Sequence, residues 1–459
     1  MRCKRLPGAL LSGLVAVLGL APLFLPFGTG SAHAGGSSSY LWFTVTRSDD
    51  ANVCNLGDCS LRGAIGEANL GIFNNIRFAD SVSTVNLTSM LPMIDTQGTW
   101  IDGYTGTHIV VVNASGIGYG PTFQIRADDV TISNLSVINS KEQDVFVDEG
   151  KDAKIVYDYL GLPPDATNCS YGAHVRDGFA GVRVDSRAGS GSPGGGTAYV
   201  YSNVIGCHSQ GSGVEVDSQW TYVGQDPSYL PGPNYIGLTW PDGHSVPNRY
   251  GVNIFSVAPF TSANNTVYAN NIAFNTAHGV VLQGPLTFDN FVDSAAIYRN
   301  GGAGICEGDG AGPNAWDIVS IYDNGGLGID KNAACAATPL PAPEPTGPYP
   351  AITSVNRSTG VVRGTSLPSD TSATPLYYTI VQVYQVALDP TGYGEGKVFL
   401  GAGQTDDKGK WHVNVPPSPS GCYTAFATDV ANGIAGQKFA SSEFGPSSCR
   451  ALLPVVTKG

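Results

Sequence analysis

A short motif, glycine–apolar–any–apolar, returns down the middle of the chain and restricts the fold more than any other feature. It reads Gly181-Val-Arg-Val184, Gly213-Val-Glu-Val216, Gly251-Val-Asn-Ile254 and Gly279-Val-Val-Leu282, and survives as Gly304-Ile305 and Gly328-Ile329. Successive glycines stand 32, 38, 28, 25 and 24 residues apart. The two longest intervals hold the turn-rich stretches 189–196 and 226–248, so the underlying period lies in the low-to-mid twenties. Ile272, Ile297 and Ile321 each precede a repeat glycine by seven residues, and Asn275, Asn300 and Asn324 by four. A parallel β-helix generates this pattern, because each coil lies about 4.8 Å above the last and equivalent residues stack into ladders. Aliphatic ladders fill the interior, and stacked Asn amides satisfy the turn backbones. The expected fold is all-β: a right-handed parallel β-helix over residues 40–335.

The ends of the repeat are also legible. Trp42-Phe-Thr-Val-Thr46 reads as a strand. Ser60 to Asn69 reads as a short helix, with Ser60 as N-cap and Leu61, Ala64, Ile65 and Ala68 on one apolar face. An open coil end exposes an apolar lumen and strand edges, so this helix is the natural N-terminal cap. Ala336 to Pro350 carries six prolines and predicts a stiff linker. Residues 351–449 show short alternating strands between Gly-rich turns, which suits a small β-sandwich of immunoglobulin-like size. The residues 450–459 form a tail without the apolar span of a sortase-type anchor.

Residues 1–34 predict a cleaved export signal: a basic start, an apolar run from Ala9 to Phe27, and Ala32-His33-Ala34. A retained membrane anchor is the rival reading, opposed by Pro22, Pro26 and the small-residue site. No second apolar run follows. Losing this segment, with its three basic residues and no acidic one, moves the formal charge from −13 to −16. Such an acidic chain repels phosphate backbones and excludes nucleic acid as a partner. Without Cys3, eight cysteines remain, an even count that reads as disulfides in an exported chain. Nearest-neighbour pairing gives Cys54–Cys59, Cys169–Cys207, Cys306–Cys335 and Cys422–Cys449.

Cys59-Ser-Leu-Arg-Gly63-Ala-Ile65, with the strand before it and Ala68-Asn69 after it, resembles a group of bacterial secreted proteins. That group is named for an N-terminal Cys-Ser-Leu-Arg-Glu-Ala element, which right-handed parallel β-helix repeats follow. Ile321-Tyr-Asp-Asn-Gly-Gly-Leu-Gly-Ile-Asp330 is similar to the group's closing repeat, and the segment Asp389 to Leu400 to part of its C-terminal sandwich. The resemblance implies export and a surface or extracellular location; it implies no reaction. One departure matters. Gly63 stands where the group has an acid, which removes the capping-box partner of Ser60 and loosens the expected cap.

Two function classes follow from the outward residues. Asp185 and Asp217 each lie four residues after a repeat glycine, and on adjacent coils they would stack about 5 Å apart. Such a pair could hold Ca²⁺ or act as acid and base, or the two could be turn residues with solvated heads beside an Arg183–Glu215 rung. Asp49, Asp50 and Asp58 around the first disulfide loop offer a second candidate for calcium. No other cofactor is implied. Trp220, Tyr222, Tyr229, Tyr235 and Trp240 cluster in the long insertion and suit sugar stacking, or packing of the insertion onto the coil. The polygalacturonase pattern is incomplete: Asn275-Thr276 is followed by Ala277, His278-Gly279 has no Arg-x-Lys after it, and Asp128-Asp129 lies far upstream. The reading is a non-catalytic secreted or surface β-helix for glycan or cell-wall binding, adhesion or structural display, with the sandwich held out beyond the Pro-rich spacer; the alternative is a lyase or hydrolase on an extended acidic polysaccharide.

Overall fold

Three parallel sheets of ten, nine and eight strands hold most of the described strands, and from Trp100 onward the coils cross them in the same order. The structure, a computed structural model, describes residues 42–71, 74–169, 180–185, 198–225, 232–308, 310–333, 335, 349–366, 379–387, 394–429 and 440–449. Residues 1–41, where the export signal is expected, Tyr229, residues 336–348 and residues 450–459 lie outside them. One coil shows the plan: Thr131–Ser133 joins the ten-strand face, Leu135–Ile138 the nine-strand face and Gln143–Val147 the eight-strand face. This is the right-handed parallel β-helix that the repeat predicts.

Period-two alternation sends one side chain of each pair inward. Val182, Val214, Val252 and Val280 stack in register on the eight-strand face, all fully buried. Ile236, Ile272, Ile297 and Ile321 do the same on the nine-strand face. The repeat glycine follows from this ladder. A Cβ on Gly279 would collide with Ile297 Cγ2 and with the Gly304 carbonyl of the next coil.

Each corner of the triangular coil carries its own amide ladder. Asn203, Asn234 and Asn270 line one, Asn265, Asn290 and Asn314 a second, and Asn248, Asn275, Asn300 and Asn324 the third. In the third, Asn248, Asn275 and Asn300 each donate Nδ2–H to the next coil's Oδ1 at 2.9–3.1 Å. Left-handed backbone makes the corner just before three of these Asn residues, with φ of 61° at Phe274, 54° at Arg299 and 58° at Asp323, while Pro247 precedes Asn248. L-residues there cost about 1 kcal/mol each, which the satisfied buried amides offset.

Both ends are closed. Helix Leu61–Ala68 lays Leu61, Ala64, Ile65 and Ala68 onto the lumen core, and Ser60 Oγ accepts from Gly63 N–H at 2.9 Å. Gly63 does not loosen this cap. A Cβ there would strike the Val53 carbonyl, so the absent acid reflects a close backbone approach. Asp50 adds a clamp: its buried carboxylate takes Arg62 Nη2 at 2.8 Å, Thr88 N–H at 2.8 Å and Ser89 N–H at 3.2 Å.

At the other end stand two antiparallel sheets, of three and four strands, which share a core of Val362, Trp411, Val413, Val381, Val383 and Ala425. A sandwich displayed beyond a spacer is not what the structure shows. Tyr384, Phe426 and Phe444 belong to the lumen's own hydrophobic core, so the sandwich is docked end-on as a plug. Trp316 Nε1 donates to Ser442 O, and Ile318 N–H to Gln382 Oε1, both at 3.1 Å. The last coil has unpaired edges and an apolar interior, and these contacts satisfy both. All four disulfides form between nearest neighbours: Cys54–Cys59, Cys169–Cys207, Cys306–Cys335 and Cys422–Cys449.

Candidate functional site

The structure brings Asp185 and Asp217 together as register partners, with Arg183 and Glu215 paired beside them. Neither Asp is a solvated turn residue, for both lie in strands and are buried. Arg183 bridges the acids, Nη2 to Asp185 Oδ2 at 3.3 Å and Nη1 to Glu215 Oε2 at 3.7 Å, while its guanidinium sits 5.5 Å from the Phe255 ring centroid. Burial pushes the Glu215 carboxyl up to about 7, against the pull of Arg183 and of the Ser212 hydroxyl. An acid pushed up to about 7, two further carboxyls and a cation therefore sit together on two adjacent coils, buried rather than solvated.

The calcium readings find no such support. Among the described residues no group of three or more His, Cys, Asp or Glu is arranged to hold a metal ion. Asp49 and Asp58 pair with Arg47 at 2.6 and 2.8 Å, and Asp50 with Arg62, so the acidic loop is neutralised by arginine. His278 is a coil corner: it stacks on Tyr250 and its Nδ1 accepts from Ala303 N–H at 2.8 Å. Asp128 and Asp129 tie turn groups, Lys151 N–H and Gln97 Nε2.

The insertion aromatics do not form one stacking edge. Tyr222 is on the ten-strand face with its ring covered by Tyr199 at 5.4 Å, while Tyr235 is on the nine-strand face. Trp240 folds back near Tyr235, against Leu162 and Val246. Trp220 alone of the four described is well exposed, at 54%. Residues close in sequence are parted here because a triangular coil turns between them.

An open aromatic cleft lies elsewhere, on the first three strands of the ten-strand face. Two columns run in register here, Trp42–Asn75–Trp100 and Thr44–Arg77–Asp102, and Trp42, Thr44, Arg77 and Asp102 of them line the cleft. The Trp42 and Trp100 rings close over Asn75 to 5.1 Å. The turn after Asp102 raises Tyr104 and Thr105 as a wall, with Tyr104 52% exposed. The volume is about 530 Å³, within the roughly 300–1,000 Å³ of small-ligand sites. Sequence reading missed it because the columns join residues 33 and 25 positions apart, before the repeat settles. The signal that could have found it is the alternation in Trp42-Phe-Thr-Val45, Asn75-Ile-Arg-Phe78 and Trp100-Ile-Asp102, whose inward residues align.

No helix among the described residues is long and apolar enough to cross a membrane. No family model matches the chain. No curated protein matches it either. Among solved structures it is similar to the Dettilon tailspike protein, at 12% identity and a TM-score of 0.34 over 88% of this chain and 94% of that one. It is also similar to ORF18 of Geobacillus virus E2, at 11% identity and a TM-score of 0.35 over 82% and 75%. A third is a tailspike protein of Acinetobacter baumannii bacteriophage Fri1, a capsular polysaccharide depolymerase, at 8% identity and a TM-score of 0.37 over 87% and 79%. The β-helix of this chain stands on its own strand register.

Proposed function

We propose that this chain is an exported, cell-surface or secreted β-helix protein that binds glycan without turning it over, and that it is a member of the Cys-Ser-Leu-Arg-Glu-Ala group it resembles. The cleft of Trp42, Arg77, Asp102 and Tyr104 carries the binding reading: exposed rings beside convergent polar groups are what sugar recognition needs. The cleft's carboxylate has no second acid in the lining to act with, which favours binding over hydrolysis there. Four disulfides and the end plug suit a rod that must persist outside the cell.

The Arg183–Asp185–Glu215–Asp217 cluster favours a second reading, a lyase or hydrolase with Glu215 as proton donor. One experiment separates them. The full chain is incubated with pectins, xylans, glucans and peptidoglycan, reading bound protein and released reducing or unsaturated ends. Binding that Tyr104→Ala removes, with no product, supports the first; product release lost in Glu215→Gln and Asp217→Asn would establish the second.

A further inference from the structure

Arg77 and Asp102 face one another as register partners on neighbouring strands of the cleft floor, yet no ion pair joins them among the described residues. Each is turned aside by its own neighbours. Arg77 Nε donates to Thr44 Oγ1 at 3.2 Å, which ties the stem of the guanidinium and leaves its two Nη groups directed elsewhere. Asp102 Oδ1 accepts from Tyr104 N–H at 3.2 Å and from Asn134 Nδ2 at 3.0 Å, so Oδ2 is the oxygen left for the cleft. Opposite charges on adjacent rungs ordinarily close into a pair. Here the backbone turn at Tyr104 and the Asn134 amide hold the carboxylate, and the Thr44 hydroxyl holds the guanidinium.

Resting on the glycan reading above, we infer that the cleft takes an uncharged pyranose, with a hydroxyl pair inserted between Arg77 and Asp102. The guanidinium only donates and the carboxylate only accepts; a hydroxyl does both at once and satisfies each without adding charge. The lining holds one cation and one anion, so its charge is already balanced. A uronate would pair with Arg77 but face Asp102, and an amino sugar would do the reverse. Asp80, engaged by the Thr105 and Thr107 hydroxyls just outside the cleft, adds further acid against a uronate. The apolar face of the sugar ring then lies on the exposed side of Tyr104 or Trp42. The volume of about 530 Å³ suits a short oligosaccharide segment.

The test is calorimetric titration of the full chain with neutral hexasaccharides of the cello-, xylo-, manno- and malto- series, beside oligogalacturonate and chitosan oligomers. A neutral series should bind, and Arg77→Gln and Asp102→Asn should each weaken it about tenfold or more, because each leaves the partner's charge unbridged. Affinity should change little between about 0.05 and 0.5 M salt, as no net charge is exchanged. Unchanged circular dichroism and melting temperature show that the variants fold, and Tyr104→Ala provides an independent third variant. Tighter binding of the uronate or the amino sugar, or neutral binding indifferent to both substitutions, would overturn the inference while leaving the glycan reading intact. No binding of any glycan, charged or neutral, would overturn both.

Discussion

Asn324 donates its backbone N–H and its Nδ2–H to Oε1 of Glu395, each at 3.0 Å, across 71 residues of chain. The longest amide ladder thus ends on a carboxylate supplied by the C-terminal sheets. Glu307 closes a second ladder in the same way, accepting from Asn314 Nδ2 at 2.8 Å and held by Lys331 at 2.8 Å. Glu395→Ala should cost about 2–3 kcal/mol, because two buried donors lose their acceptor. Glu395→Gln keeps an oxygen and should cost less. Urea unfolding of the three proteins decides the order.

The Glu215 carboxyl gives stability a pH signature. Its folded value of about 7 lies above the ordinary carboxyl value of 4.5. The folded state therefore holds the proton more tightly, and stability falls as pH rises through that window, by on the order of 3 kcal/mol in all. Glu215→Gln removes the slope. The variant should match the wild type near pH 4.5 and melt higher at pH 8; equal melting curves at pH 8 would show that the carboxyl is not held neutral.

Asp50 behaves in the opposite sense. Burial alone would raise its carboxyl, but Arg62 and the Thr88 N–H and hydroxyl together hold it below the usual carboxylate range. The stability it contributes is present above the ordinary carboxylate pKa and is lost only as pH falls through the lowered folded value. Asp50→Ala should cost about 2–3 kcal/mol at neutral pH and lose that penalty at the acid end. Melting across an acid series measures both limits.

Gly279→Ala tests the reason for the repeat. The added methyl meets Ile297 Cγ2 and the Gly304 carbonyl, so a loss of about 1–3 kcal/mol is expected from overpacking. Ile297→Ala in the same chain should recover part of it, giving a coupling term in a double-mutant cycle.

The repeat was legible because stacking forces equivalent residues into ladders, and Gly279, Ile297 and Asn300 can hold only certain side chains. The helix after Ser60 was legible for a local reason, an N-cap ahead of an apolar face. The docking of the sandwich was not, since Glu395 and Phe444 carry no local mark of partners in the last coil. Asp185 and Asp217 were placed on one rung by spacing, but their burial depends on what covers that face. The aromatic insertion misled for a geometric reason: Tyr222 and Tyr235 sit on different faces. The cleft escaped because Thr44, Arg77 and Asp102 meet only after two irregular coils.

In the three corner ladders each Asn-to-Asn bond is donated toward the C-terminal end, and this gives the rod a preferred place to change its length. A coil inserted between Gly251 and Gly328 with its own Asn takes one amide from below and offers one above, and both terminal carboxylates keep their donors. The same insertion beyond Asn324 would separate that amide from Glu395 and lift the plug from the lumen. Reach can therefore be lengthened or shortened by whole coils in the interior, with the cleft carried at one end and the closure at the other left as they are.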